Sequence, residues 1–202
     1  MFTSTFTIIA SLSTAWATAY LDVQKELEQQ ALQRIQQATS HTEAMDLAEH
    51  FSNTVFPSAQ LYYEVALSIN KAGDIDNAIR CYQHALQLDD AHQGALYDLA
   101  EIHLLNKDYT ASKQYLLRLA SQQKVHWVVY YRLAQISAYE HQTAALEKQL
   151  RQAIRLGMPH QILRDDGVQW RQYLSDTDVA LSLEMFLHAI GQSDTWQEWT
   201  TP

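Results

Sequence analysis

The stretch AQLYYEVALSINKAGDIDNAIRCYQHALQLDDAH, residues 59–92, decides the fold. Tyr62, Val65, Ala66 and Ile69 fall at i, i+3, i+4 and i+7, which places them on one face of a helix. Gly73 can take the left-handed conformation that ends a helix, and Asp74 is a good N-cap for the next one. Ile75, Ala78, Ile79, Tyr82, Ala85 and Leu86 form a second helical stripe. Isolated helices this short are marginal in water, so each must bury its stripe against a neighbour. The alanines let the two backbones approach closely.

The pattern recurs when 34 is added to each number. Tyr62, Val65 and Ala66 map to Leu96, Leu99 and Ala100, then to Tyr130, Leu133 and Ala134. Tyr82 maps to Leu116 and Leu150, and Ala85 to Leu119 and Ala153. A stripe arising by chance would drift out of register, so stacked antiparallel helix pairs are expected. Two departures stand out. Ala78 becomes Ser112 and then Leu146, while Gly73 becomes Lys107 and then His141. Without glycine, those turns either carry a left-handed penalty of roughly 1–2 kcal/mol or take another shape, and the later hairpins are expected to be less regular.

The size and spacing resemble the tetratricopeptide repeat, whose pattern is W-x2-L-G-x2-Y, then A-x3-F, A and P. Tyr62, Val65, Ala66 and Ile69 stand at its Trp, Leu, Gly and Tyr positions. Ala78 and Tyr82 make the A-x3-F step, Ala85 is the second small residue, and Asp90 replaces the proline. The resemblance implies an all-α fold, a right-handed superhelix of stacked antiparallel helix pairs. The expected division is a possible signal peptide or N-terminal helix at 1–19 and a degenerate repeat or cap at 20–58. Three repeats follow at 59–92, 93–126 and 127–160, then closing helices at 161–202.

Outside the repeats the signals are local. Residues 1–19 carry no charged side chain, and two readings compete. One is a secretory signal peptide, with Ala15-Trp16-Ala17 or Ala17-Thr18-Ala19 as its cleavage motif; it makes the protein periplasmic or secreted. The other is mature helix in a cytoplasmic protein, with Leu12, Trp16, Tyr20, Val23, Leu27, Ala31 and Ile35 as a continuing stripe. The segment is too polar and short for a stable membrane anchor. Ser40 and Glu43 form a capping box, Asp165-Asp166-Gly167 a turn and cap, and Trp196 with Trp199 either a lid over the last hairpin or a partner-binding aromatic pair.

Composition narrows the function. The acidic net charge, −9, opposes a phosphate backbone and argues against nucleic acid as a partner. Cys81 is the sole cysteine, so no internal disulfide can form; the nine histidines never pair at i+3 or i+4. Phosphate loops, zinc-protease motifs and nucleophile elbows are absent, so neither enzyme activity nor a cofactor is expected.

In the resembled family the first helix of each hairpin lines a concave groove. Carried onto this chain, groove position 5 is Tyr63, Tyr97 and Tyr131, and position 9 is Leu67, Glu101 and Gln135. Positions 12 and 13 are Asn70, Lys71, Leu104, Leu105, Ala138 and Tyr139. The three tyrosines would form a ladder for another protein or peptide, tyrosine offering a large rigid surface with one polar tip. A version of this groove that holds C-terminal carboxylates maps to Tyr63, Leu67, Asp98, Val128 and Arg132. Only Arg132 suits an anion, so no such binding is expected. The implied function is a non-enzymatic adaptor or scaffold, with envelope assembly as its setting if exported. The alternatives are a self-associating structural protein or an accessory subunit of an enzyme complex.

Overall fold

A computed structural model describes residues 3–54 and 57–201, with no strand among them. The side chains of residues 1–16 lie outside the described residues, and with them Leu12 and Trp16 of the stripe and Ala15 and Trp16 of the first cleavage motif. Chain contacts divide the protein into two compact units, Met1–Ala95 and Leu96–Pro202.

The first unit contains α1 (Thr3–Gln37), α2 (His41–Thr54), α3 (Ala59–Lys71), α4 (Ile75–Leu88) and the start of α5 (Gln93–Leu105). Ser40 accepts from Glu43 N at 3.2 Å, opening α2. The Glu43 carboxylate accepts from both Thr39 N and Thr39 Oγ1, each at 2.9 Å. The capping box is therefore closed one residue earlier than its sequence pattern implies. Ser58 caps α3 by accepting from Leu61 N, and its hydroxyl donates to Glu28 of α1. Glu28 occupies the position where the next copy has Tyr62, so a hydrogen bond stands there in place of an aromatic contact. Ile35, Ala44, Ala48 and Phe51 join the buried stripes of α3 and α4 to form the core. Cys81 is buried within it, its thiol 3.4 Å from the Met45 sulfur.

The second unit holds the rest of α5, then α6 (Tyr109–Ala120), α7 (Trp127–Tyr139) and α8 (Thr143–Arg155). Four shorter or terminal helices follow: α9 (Gln161–Asp165), α10 (Gly167–Arg171), α11 (Thr177–Ala189) and α12 (Ser193–Thr200). The first residues of α3, α5 and α7 stand 34 apart, and so do those of α4, α6 and α8. Leu96, Leu99, Ala100, Leu116, Leu133, Ala134, Leu150 and Ala153 are all buried, as the repeat arithmetic requires. Ser112, where the first copy has Ala78, is fully buried and donates to the Ala100 carbonyl at 2.8 Å. That bond satisfies a hydroxyl which would otherwise incur a desolvation penalty.

The turns keep their shape without glycine. Lys107 and His141 adopt φ of 60° and 58°, the same left-handed region as Gly73 at 89°. Each corner closes with the same pair of main-chain bonds. Gly73 N donates to Asn70 O and Asp74 N to Ile69 O; Lys107 and Asp108 repeat this on Leu104 and His103, and His141 and Gln142 on Ala138 and Ser137. The expected irregularity of the later hairpins is not found: the closing bonds hold the penalised conformation in place.

The end of the second unit is closed by aromatic packing. Trp170 is fully buried and stacks on Trp199, with ring centroids 6.0 Å apart and 14° between planes. Trp199 approaches Gly167 so closely that a Cβ there would lie 2.8 Å from its Nε1. Trp196 is partly buried against the same cluster.

Candidate partner-binding face

The residues carried over from the repeat pattern are not equivalent in space. In the first unit Tyr63 is half-buried, its ring tilted against Tyr82 at 5.9 Å and His92 at 4.8 Å. His92 is fixed in turn: Nδ1 accepts from Ala95 N at 3.1 Å, and Nε2 meets Gln60 Oε1 at 3.1 Å. Gly94 leaves the space that the Tyr63 ring occupies, since a Cβ there would stand 2.6 Å from Tyr63 Cζ. Leu67 is half-buried on the same helix.

In the second unit a row of polar side chains crosses α5, α7 and α10. Arg132 grips Glu101 with two parallel bonds, Nε to Oε1 and Nη2 to Oε2, both 2.8 Å. Its remaining edge donates to Gln135 Oε1 at 3.0 Å, and the Gln135 amide donates to Gln169 Oε1 at 2.9 Å. Burial works to lower the Arg132 pKa, but the hydrogen bonds and charge of Glu101 outweigh it and hold the guanidinium above its usual value. Tyr97 is half-buried beside this pair. Burial pushes its hydroxyl pKa up, Glu101 adds to the shift, and Arg132 opposes it.

Tyr131 and Gln135 depart from the expected open groove, being 2% and 4% exposed. Gln169 and Trp170 of α10 lie against them. The Tyr131 hydroxyl donates to Asp166 Oδ2 at 2.7 Å and accepts from Trp170 Nε1 at 2.9 Å. Burial first, and then the Asp166 carboxylate, push the Tyr131 pKa well above the ordinary phenol range. Tyr131 is thus a core residue with both hydrogen-bonding functions occupied. Asp166, expected only as a cap, is its acceptor; the 34-residue register stops before that position, and no sequence signal joined the two. Of positions 12 and 13, Leu105 and Tyr139 are exposed while Ala138 is buried.

Arg132, the one residue suited to an anionic clamp, is already neutralised by Glu101. Among the described residues no cluster of three or more histidine, cysteine or acidic side chains could hold a metal ion. No described helix is long and apolar enough to cross a membrane.

Residues 70–136 match the family model of the tetratricopeptide repeat. Over this stretch the chain is similar to the tetratricopeptide repeat. Solved structures extend the likeness of fold across most of the chain. A structure of MamA (AMB-1) aligns with a TM-score of 0.54 at 12% identity, covering 87% of this chain and 87% of that one. YrrB, described as a TPR protein with an unusual peptide-binding site, aligns with a TM-score of 0.51 at 14% identity, over 79% of this chain and 88% of that one. No curated protein matches by sequence. In tetratricopeptide-repeat terms, the half-exposed Tyr97 and the Glu101–Arg132 pair lie on the first helices of successive hairpins.

Proposed function

We propose that this protein is a non-catalytic scaffold whose first-helix surfaces take up a segment of a partner protein. The observation that carries the reading is the row Tyr97–Glu101–Arg132–Gln135–Gln169. It is a line of side chains already ordered by one another, so a partner would bind without freezing them anew. Tyr97 supplies a ring with a polar tip, and the exposed Gln169 amide, held in place by the buried Gln135, supplies hydrogen bonds to a peptide backbone. With Arg132 neutralised, the local balance favours neutral or basic segments over acidic ones. Tyr63 and Leu67 offer a second, smaller patch in the first unit. The family likeness supports protein interaction in general, and YrrB's described peptide-binding site gives the reading a parallel of fold.

The test is a displayed peptide library selected on the whole chain. Peptides should be recovered whose binding is lost in Tyr97→Ala and Arg132→Ala, with helicity retained. Selection of peptides indifferent to both substitutions would count against this face.

Export is the second part of the proposal, resting on the uncharged residues 1–19; envelope assembly is then the setting. Sequencing the mature N-terminus decides it, and an intact Met1 on exported protein would sink it. Self-association is favoured by one observation, the exposed Tyr20, Leu21 and Val23 on α1. Mass in solution, compared with that of a variant bearing Ser at all three positions, separates that reading from the scaffold.

A further inference from the structure

Three tyrosines from separate elements converge in the second unit, at the corner between α7 and α8. Tyr109 opens α6, Tyr139 ends α7, and Tyr173 follows α10. The Tyr109 and Tyr139 rings pack tilted against each other, with centroids 3.9 Å apart and 32° between planes. Tyr173 is held edge-on to the buried Trp170 at 5.9 Å. Burial pushes its hydroxyl pKa up to about 12, with Tyr109 and Tyr139 adding to the shift, so the Tyr173 phenol is neutral at physiological pH. Tyr139 is 51% exposed, which leaves a large aromatic ring open to water.

Two of these tyrosines, Tyr139 and Tyr173, line a cavity of about 520 Å³ with Ala138, His141, Gln172 and, at the start of α11, Asp176. Asp176 caps α11, its carboxylate accepting from Val179 N at 2.9 Å. That bond, more than any other influence, lowers the Asp176 pKa, so the wall carries a negative charge. His141 Nδ1 stands 2.8 Å from the same carboxylate. Lysine and arginine are missing from the lining; the nearby Lys113 of α6 is paired with Glu140 at the end of α7.

Tyrosine rings beside a fixed carboxylate suit one ligand class. Aromatic rings attract cations through their negative faces, and a carboxylate deepens the attraction. Phenol hydroxyls alone could serve an anion, but Asp176 repels one. We propose that this cavity binds an organic ammonium group, carried on a lysine side chain of a partner or as a free alkylated amine. The site is independent of the Tyr97–Arg132 row, and either can fail without the other. The protein's charge of −9 favours the approach of such ligands.

The test uses the isotope-labelled full chain, titrated with N-acetyl-lysine methylamide and tetramethylammonium chloride at constant ionic strength. N-acetyl-glutamate methylamide serves as the anionic counter-probe. Saturable shifts of the Tyr139, His141 and Tyr173 amides with either cation, and none with the glutamate probe, support the site. A tighter lysine probe assigns an unmodified side chain, and a tighter tetramethylammonium an alkylated amine. Tyr139→Leu should weaken binding about fivefold. Asp176→Ser, which keeps a capping hydroxyl while removing the charge, should weaken it as well. No saturable shift, an equal response to the glutamate probe, or unchanged affinity in a folded Asp176→Ser variant would overturn the proposal.

Discussion

The hydroxyl of Tyr131 donates to the carboxylate of Asp166 across 2.7 Å while accepting from the buried indole of Trp170. One phenol oxygen thus ties the third hairpin's first helix to α10 and its preceding turn.

Tyr131→Phe removes that oxygen and keeps the ring. Trp170 Nε1 and Asp166 each lose a partner, and a buried group left unpaired costs about 1–3 kcal/mol. Denaturant unfolding should show a lower midpoint with an unchanged slope. Peptides selected on the wild-type chain should bind the folded variant as before, because the lost group faces no solvent. Loss of binding with full stability would return Tyr131 to the recognition surface.

Gly94→Ala sets two effects against each other. Alanine favours a helix over glycine by about 1 kcal/mol. The added Cβ, however, meets the Tyr63 ring at 2.6 Å, and overpacking of this kind costs about 1–3 kcal/mol. The variant should therefore be destabilised. Adding Tyr63→Leu should make the same change stabilising, and a double-mutant cycle would read the coupling. Additive effects would mean that the ring yields freely.

Lys107→Gly should raise the melting temperature. Lysine at φ 60° bears the left-handed penalty that glycine does not, about 1 kcal/mol. Glycine's larger unfolded-state entropy offsets part of the gain. A lower melting temperature would show that the Lys107 side chain stabilises the corner in some other way. His141→Gly is less suited to the measurement, since it also removes the contact with Asp176.

Stability should fall at high pH. The folded Tyr173 pKa, about 12, lies above the ordinary phenol value of about 10, so the unfolded chain releases this proton first. The contribution is fully present below about pH 10 and is lost as pH rises towards 12. Tyr131, raised further, extends the loss upward. Unfolding by circular dichroism between pH 9 and 12 should show this decline, and Tyr173→Phe should flatten it. A flat wild-type profile would contradict the burial of these hydroxyls.

The helical hairpins were legible because burial follows the stripe: Val65, Leu99 and Leu133 stand 34 apart and are all buried. The turns were half legible. Asp74 announces a cap by residue type and accepts from the backbone three residues on, and the structure shows Asp108 doing the same one repeat later. The conformation of Lys107, however, is set by hydrogen bonds that any residue can make. The candidate face was legible by position and not by exposure. Tyr63, Tyr97 and Tyr131 share a repeat position, yet whether each is open depends on the next element along the chain. After Tyr131 that element leaves the 34-residue register, and α10 covers what another repeat would have left as a groove wall. Nothing in the spacing marked Gly94 as room for a ring, because a helical glycine reads as a weak helix former until its neighbour is known.

The left-handed corners carry a wider consequence. Gly73, Lys107, His141, Gly157 and Gly191 all have positive φ, and all end helices through the same pair of closing bonds. The hinge of each hairpin is therefore a property of the main chain, and its side chain is free to vary. His141 uses that freedom to place an imidazole against Asp176, at a site where glycine would have left only backbone. A fold that does not need its corner residues for folding can spend them on recognition.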